Sequence, residues 1–152
     1  SGFYQNANGG HSSKQINSNF FPFVPSMEWD SYVTIGAYYQ NGAPFGENNL
    51  NDIGIDWSGF ESGGDLITDN GSWFVTPDDV QGNELNGQVF IGQFTVQGGT
   101  NSIEDFDISV NIQGKDADGN TINANGVTLA IPSPGALALL GMAGFVSRRR
   151  RK

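Results

Sequence analysis

Along the middle of this chain, apolar residues recur at every second position, the spacing of strands with one buried and one wet face. Between Leu50 and Trp57 the residues Ile53, Ile55 and Trp57 share one face, while Asp52, Gly54 and Asp56 share the other. From Asp105 to Gln113 the alternation passes through Phe106, Ile108, Val110 and Ile112. From Gln88 to Gln97 it passes through Val89 and Ile91 and, after a phase change at Gly92, through Phe94 and Val96. Asp30 to Tyr39 is dense in β-branched and aromatic residues and stops at Asn41-Gly42, and Trp73-Phe74-Val75 follows Asn70-Gly71. A closing hairpin is predicted from the Asp105 strand, through Lys115 to Asn120, into Thr121 to Ile131. Gly119 and Asn120 supply the positive φ that a tight reversal needs.

No stretch from Phe20 to Ile131 keeps a helical period. Six or seven short strands in roughly 110 residues predict an all-β fold: a single antiparallel two-sheet sandwich, jelly-roll or Ig-like, followed by a short apolar C-terminal helix. Its core is expected to draw on Phe20, Val33, Ile35, Ile53, Ile55, Trp57, Phe74, Phe90 or Ile91, Phe94, Ile108 and Val110. Residues 1–19 are rich in Asn, Ser and Gly and predict an irregular entry segment, with Gly2-Phe3-Tyr4 as the end of a strand. The expected organisation is therefore an entry segment at 1–19, a β domain at 20–131 and a distinct tail at 132–152.

That tail has three blocks. Pro132-Ser133-Pro134 disfavours helix, and Gly135 to Val146 then runs for twelve residues without a charge, including Leu137, Leu139, Leu140 and Phe145. Arg148, Arg149, Arg150, Arg151 and Lys152 end the chain. A helix over the apolar run would span roughly 18 Å at about 1.5 Å per residue, short of the ~30 Å hydrocarbon core. Positive flanks are retained on the cytoplasmic side, which places the remainder of the chain outside.

The order of Pro-x-Pro, apolar run and arginine-rich end resembles the PEP-CTERM sorting signal of exported bacterial proteins, with Ser133 standing where that motif has glutamate. The resemblance implies processing by an exosortase-like enzyme, transient anchoring in the inner membrane, and delivery to the cell surface or extracellular space. The segments GIDWSGFESGG from Gly54 and DNGSWFVTPDD from Asp69 also resemble, in style and order, parts of secreted proteins that carry such tails. An exported chain needs a leader, so one is expected upstream of Ser1.

Charge sharpens this picture. Five of the seven basic residues lie in the tail, leaving Lys14 and Lys115 against sixteen acidic residues over 1–147, a net charge of −14. Such a field opposes nucleic acid and favours dispersal in water. With no cysteine there are no disulfides, thiolate metal sites or cysteine nucleophiles.

Candidate chemistry is sparse. His11 is the only histidine and lies in the entry segment, where it is expected to be mobile, which argues against a Ser-His-Asp triad. Glu28, Asp30, Glu47, Asp52, Asp56 and Glu61 are the carboxylates near aromatic residues, and glycoside chemistry would need two of them facing across a cleft. Trp29, Trp57 and Trp73, with Tyr38 and Tyr39, could stack on sugar rings, although strand alternation assigns Trp57 and Trp73 to the core. Asp116, Asp118 and Asn120 repeat oxygen ligands at alternate positions and are the candidate calcium site, without the glutamate of an EF-hand; a hairpin turn uses the same residues. These features predict an exported, non-enzymatic surface or matrix protein with no required cofactor. A module that binds extracellular polysaccharide is the alternative, and a glycosidase-like enzyme comes after it.

Overall fold

The computed structural model describes residues 2–97 and 107–129, and the chain divides into two compact units, Ser1–Gln97 and Gly98–Lys152. In the first unit the strands are short and pair antiparallel: β1 (Gly2–Phe3) with β6 (Val96–Gln97), β2 (Tyr32–Val33) with β5 (Gly92–Gln93), and β3 (Asn51–Ile53) with β4 (Ser72–Phe74). Four 3-10 turns, at Ser13–Gln15, Ser18–Phe20, Pro25–Trp29 and Val80–Gly82, and a four-residue helix, α1 (Ser58–Glu61), fill the intervals. The chain is thus mainly β, as its alternation predicts, and each sheet among the described residues is a two-stranded pair.

The strand expected over Asp30 to Tyr39 leaves regular geometry after Val33, because Gly36 turns at φ +71° and the Thr34 hydroxyl donates to Ala37 O at 2.6 Å. Backbone pairing to the neighbouring chain nevertheless continues, with Thr34 N donating to Ile91 O and Gly36 N to Phe90 O. This irregular continuation carries Tyr38 beyond the sheet.

The second unit holds the hairpin of β7 (Ile108–Lys115) and β8 (Thr121–Leu129). Its turn lies where the sequence predicts it, between Lys115 and Thr121, which pair with each other. A bulge interrupts the ladder between Val110 and Ile112, where Gly126 adopts φ +62° and its N–H donates to Asn111 Oδ1 at 2.8 Å. Up to the bulge Ile108 and Val110 are half-buried and Ser109 is exposed; beyond it Ile112 is exposed, so the predicted alternation lapses there.

The core of the first unit differs from the expected one. Of the residues assigned to it, only Val33 is fully buried among those described, while Ile53, Phe20 and Phe74 are exposed. Among the described residues β3 and β4 pair only with each other and all three β3 residues are exposed, while Ile55 and Trp57 beyond β3 are half-buried, so the alternating face is covered only in part. Burial falls instead on Ile16, Met27 and Tyr32, with Phe21, Val24, Tyr39 and Phe90 packed around them. Ile16 belongs to the segment expected to be a mere entry. A second apolar centre forms where Phe60 of α1 meets Phe3 at 5.4 Å between ring centroids and Phe94 at 6.5 Å. Full burial of such a ring contributes roughly 1.5–3 kcal/mol.

Asp30, fully buried, ties the amino-terminal segment to this core. Its carboxylate accepts from the backbone N–H groups of Asn6 (2.8 Å), Gly10 (3.2 Å) and Ser31 (3.1 Å), and a Cβ at Gly9 would overlap it. Burial raises its pKa above the ordinary aspartate value, outweighing the three N–H groups that pull it down. An acid whose folded pKa is raised stabilises the fold fully below the unfolded pKa and loses that contribution as pH rises through the folded value. We therefore expect Asp30→Asn to remove a component of stability that declines with rising pH above the usual aspartate range, read by urea unfolding across pH. Asp30→Ala should cost on the order of 3 kcal/mol, since it leaves buried N–H groups unpaired.

Candidate functional site

The turn that begins at Asn41-Gly42 builds one side of a cleft. Asn41 Oδ1 accepts from Ala43 N, Phe45 N donates to Gly42 O at 2.7 Å, and Tyr38 N donates to Ala43 O at 2.7 Å, which brings Tyr38 and Phe45 to the same place. Gly42 has φ +73°, and any side chain there would overlap the backbone of Glu47. Across the cleft, Leu85-Asn86-Gly87-Gln88 makes a tight reversal with positive φ at both central residues (56° and 79°) and two backbone hydrogen bonds between Leu85 and Gln88. Phe90 joins the cleft to the core through Tyr32, at 6.4 Å between ring centroids.

The resulting cleft has a volume of about 490 Å³, is open to solvent, and is lined chiefly by Tyr38, Phe45, Asn83, Leu85, Gln88 and Phe90. None of its lining residues carries a charge. Tyr38, 37% exposed, is edge-on to Phe90 at 5.4 Å and to Tyr39 at 6.3 Å, so its ring is held in place from two sides. Among the described residues, the side-chain amides of Asn83 and Gln88 and the Tyr38 hydroxyl have no hydrogen-bond partner.

Ionisable groups gather elsewhere. Val33 N donates to His11 O at 2.8 Å and Ser12 bridges Val33, so His11 is fixed beside β2, contrary to the mobility expected of it. Its Nδ1 lies 2.7 Å from Glu61 Oε1, its Nε2 lies 4.0 Å from Asp52 Oδ2, and its ring stacks on Trp57 at 4.3 Å and 10°. Trp57 Nε1 in turn donates to Asp52 Oδ1 at 3.0 Å. This places two of the candidate carboxylates on one imidazole, but no hydroxyl among the described residues hydrogen-bonds to that ring. The arrangement clasps the amino-terminal segment to β3 and α1 and contains no nucleophile for a triad.

Of the three tryptophans considered for sugar stacking, Trp29 is exposed, whereas Trp57 has one face covered by His11 and Trp73 donates its Nε1 to Thr34 O at 3.1 Å. At the hairpin turn Asp116 serves its own loop: Oδ1 accepts from Asp118 N and Asn120 N, and Oδ2 accepts from Asn120 Nδ2. Lys115 Nζ donates to Gly119 O at 3.1 Å beside it. No three His, Asp or Glu side chains among the described residues are placed so that they could hold a metal ion together. No helix among them is long and apolar enough to cross a membrane, and the tail from Pro132 to Lys152 lies outside the described residues. Comparison with protein-family models, with curated proteins and with solved structures gives no match to this chain.

Two measurements follow from these geometries. His11→Ala should destabilise the chain by about 1 kcal/mol, because the clasp is part-exposed and solvent screens it, and a double-mutant cycle with Glu61→Gln should recover a positive coupling energy. Asp116 has its pKa lowered first by the Asn120 side-chain amide and then by the Asn120 N–H. Its contribution to the turn is present above the unfolded carboxyl pKa and lost as pH falls through the lowered folded value. The amide resonances of Asp118 and Asn120 should shift together in that acid range, and Asp116→Asn should abolish the transition.

Proposed function

We propose that this chain is an exported, non-enzymatic protein of the cell surface or extracellular matrix, sorted by a PEP-CTERM-like tail. The observation that carries the reading is the order of blocks in the sequence: Pro132 to Pro134, the uncharged run Gly135 to Val146, and the basic stop Arg148 to Lys152. In this reading the tail holds the chain in the inner membrane until an exosortase-like enzyme processes it, and the β part is displayed or released. A two-sheet sandwich is the finer architecture that the period-two alternation supports for that part. The proposal includes no resident cofactor, and it takes the Asp116 to Asn120 turn as a hairpin connection whose oxygens serve its own backbone.

A second reading, a carbohydrate-binding module, is favoured by the uncharged aromatic cleft at Tyr38, Phe45 and Phe90. A glycosidase is favoured less, because hydrolysis needs a pair of carboxyl groups and the cleft lining holds none.

Replacing Arg148 to Arg151 with serine tests the sorting proposal in a bacterium that processes such tails. We expect weaker cytoplasmic retention of the carboxyl terminus and a smaller fraction of correctly processed protein, read by fractionation and by the mass of the mature carboxyl terminus. An unchanged distribution together with an unchanged terminal mass would remove the tail's claim to be a sorting element.

A further inference from the structure

We propose that the cleft between the Asn41–Gly46 turn and the Leu85–Gln88 reversal binds an uncharged sugar unit of a polysaccharide, with Tyr38 as the stacking face and the Asn83 and Gln88 amides as the selecting groups. The proposal rests on the carbohydrate-binding reading and names its site and ligand class. Three features converge on it. The volume, about 490 Å³, falls within the roughly 300–1,000 Å³ of small-ligand sites, and the open side lets a unit enter while still joined to its polymer. Tyr38 is pre-set by Phe90 and Tyr39, so stacking on it orders little that was free. The two amides each bring donors and an acceptor, which matches hydroxyl groups that also donate and accept.

Charge separates this ligand class from its rivals. Acidic polysaccharides and nucleotides would need a cation in or beside the cleft, and the lining holds none, while residues 1–147 carry a net charge of −14. A purely apolar ligand would bury the Asn83 and Gln88 amides without partners, which is costly. A neutral, hydroxyl-rich ring satisfies both constraints. Gly36 belongs to the same lining: its φ is +71° and a Cβ there would overlap Gln81 O and crowd Phe45, so the packing behind the cleft requires glycine at this position.

The test uses the full chain in affinity electrophoresis and calorimetry against neutral polymers (dextran, a galactomannan, a soluble β-glucan) and acidic ones (alginate, hyaluronate). We expect binding to at least one neutral polymer and none to the acidic pair. Tyr38→Ala should weaken it about tenfold, the scale of one aromatic contact. Because Tyr38 also packs on Phe90, the double variant Asn83→Ala with Gln88→Ala, both exposed, provides the cleaner arm. It should keep the parent melting temperature and lose most of the binding. Trp29→Ala, an exposed aromatic outside the cleft, should bind as the parent does. Neutral-polymer binding that survives both cleft variants but fails in Trp29→Ala would overturn this site while leaving a carbohydrate-binding module. Binding to the acidic polymers as tight as to the neutral ones would overturn the ligand class. No binding to any of the five would overturn the carbohydrate-binding reading and this site with it.

Discussion

A fully buried side-chain amide, that of Gln81, joins three parts of the first unit that are far apart in sequence. Its Oε1 accepts from Asn49 N at 2.7 Å and its Nε2 donates to Ile35 O at 2.7 Å. Asn48 beside it donates to Ser13 Oγ and to Tyr39 O, and Ser13 Oγ meets Thr34 Oγ1 at 2.7 Å. Leaving any one of these groups unpaired in the interior would cost about 1–3 kcal/mol, so the set has few ways to rearrange except together. Among the described residues no buried side-chain polar atom lacks a partner. The cleft inherits this rigidity: Gly36 sits against Gln81, Tyr39 receives Asn48, and the Tyr38 ring leans on Tyr39.

This polar interior explains what alternation could and could not reveal. Alternation locates strands long enough to have two faces, and the β7–β8 hairpin, with its Asp-Ala-Asp-Gly-Asn turn, was legible for that reason. In strands two or three residues long, burial is decided by the turns around them and by which polar groups find partners. Ile16, Met27 and Phe60 therefore became core from stretches with no alternation, while Ile53 alternated and stayed in water. Ser13, Thr34 and Gln81 are buried although composition assigns such residues to the surface.

The site was legible to a smaller extent. Tyr38 and Tyr39 carried the aromatic signal, and Asn41-Gly42 marked the turn that presents them. Asn86-Gly87 was the available sign of the opposite wall, because Asn-Gly is the dipeptide that accepts two successive positive φ angles. Nothing in the spacing linked Asn83 or Gln88 to Tyr38, nor His11 to Glu61 fifty residues away. Those pairings depend on how irregular segments fold back, and sequence periodicity carries no record of that.

The distribution of carboxylates links the fold to the proposed role. Several acids serve as acceptors within the chain: Asp30 for three backbone N–H groups, Asp79 for Gln81 N and Asn49 Nδ2, Asp116 for its own turn, and Asp52 with Glu61 for Trp57 and His11. With no cysteine and two cations over residues 1–147, neither disulfides nor networks of Lys or Arg ion pairs are available there to fasten irregular segments. Carboxylates that accept backbone and amide N–H groups take that task, and their negative charge comes with it. Residues 1–147 fastened in this way carry a net charge that opposes polyanions, and the cleft at Tyr38 stands apart in having no charge among its lining residues.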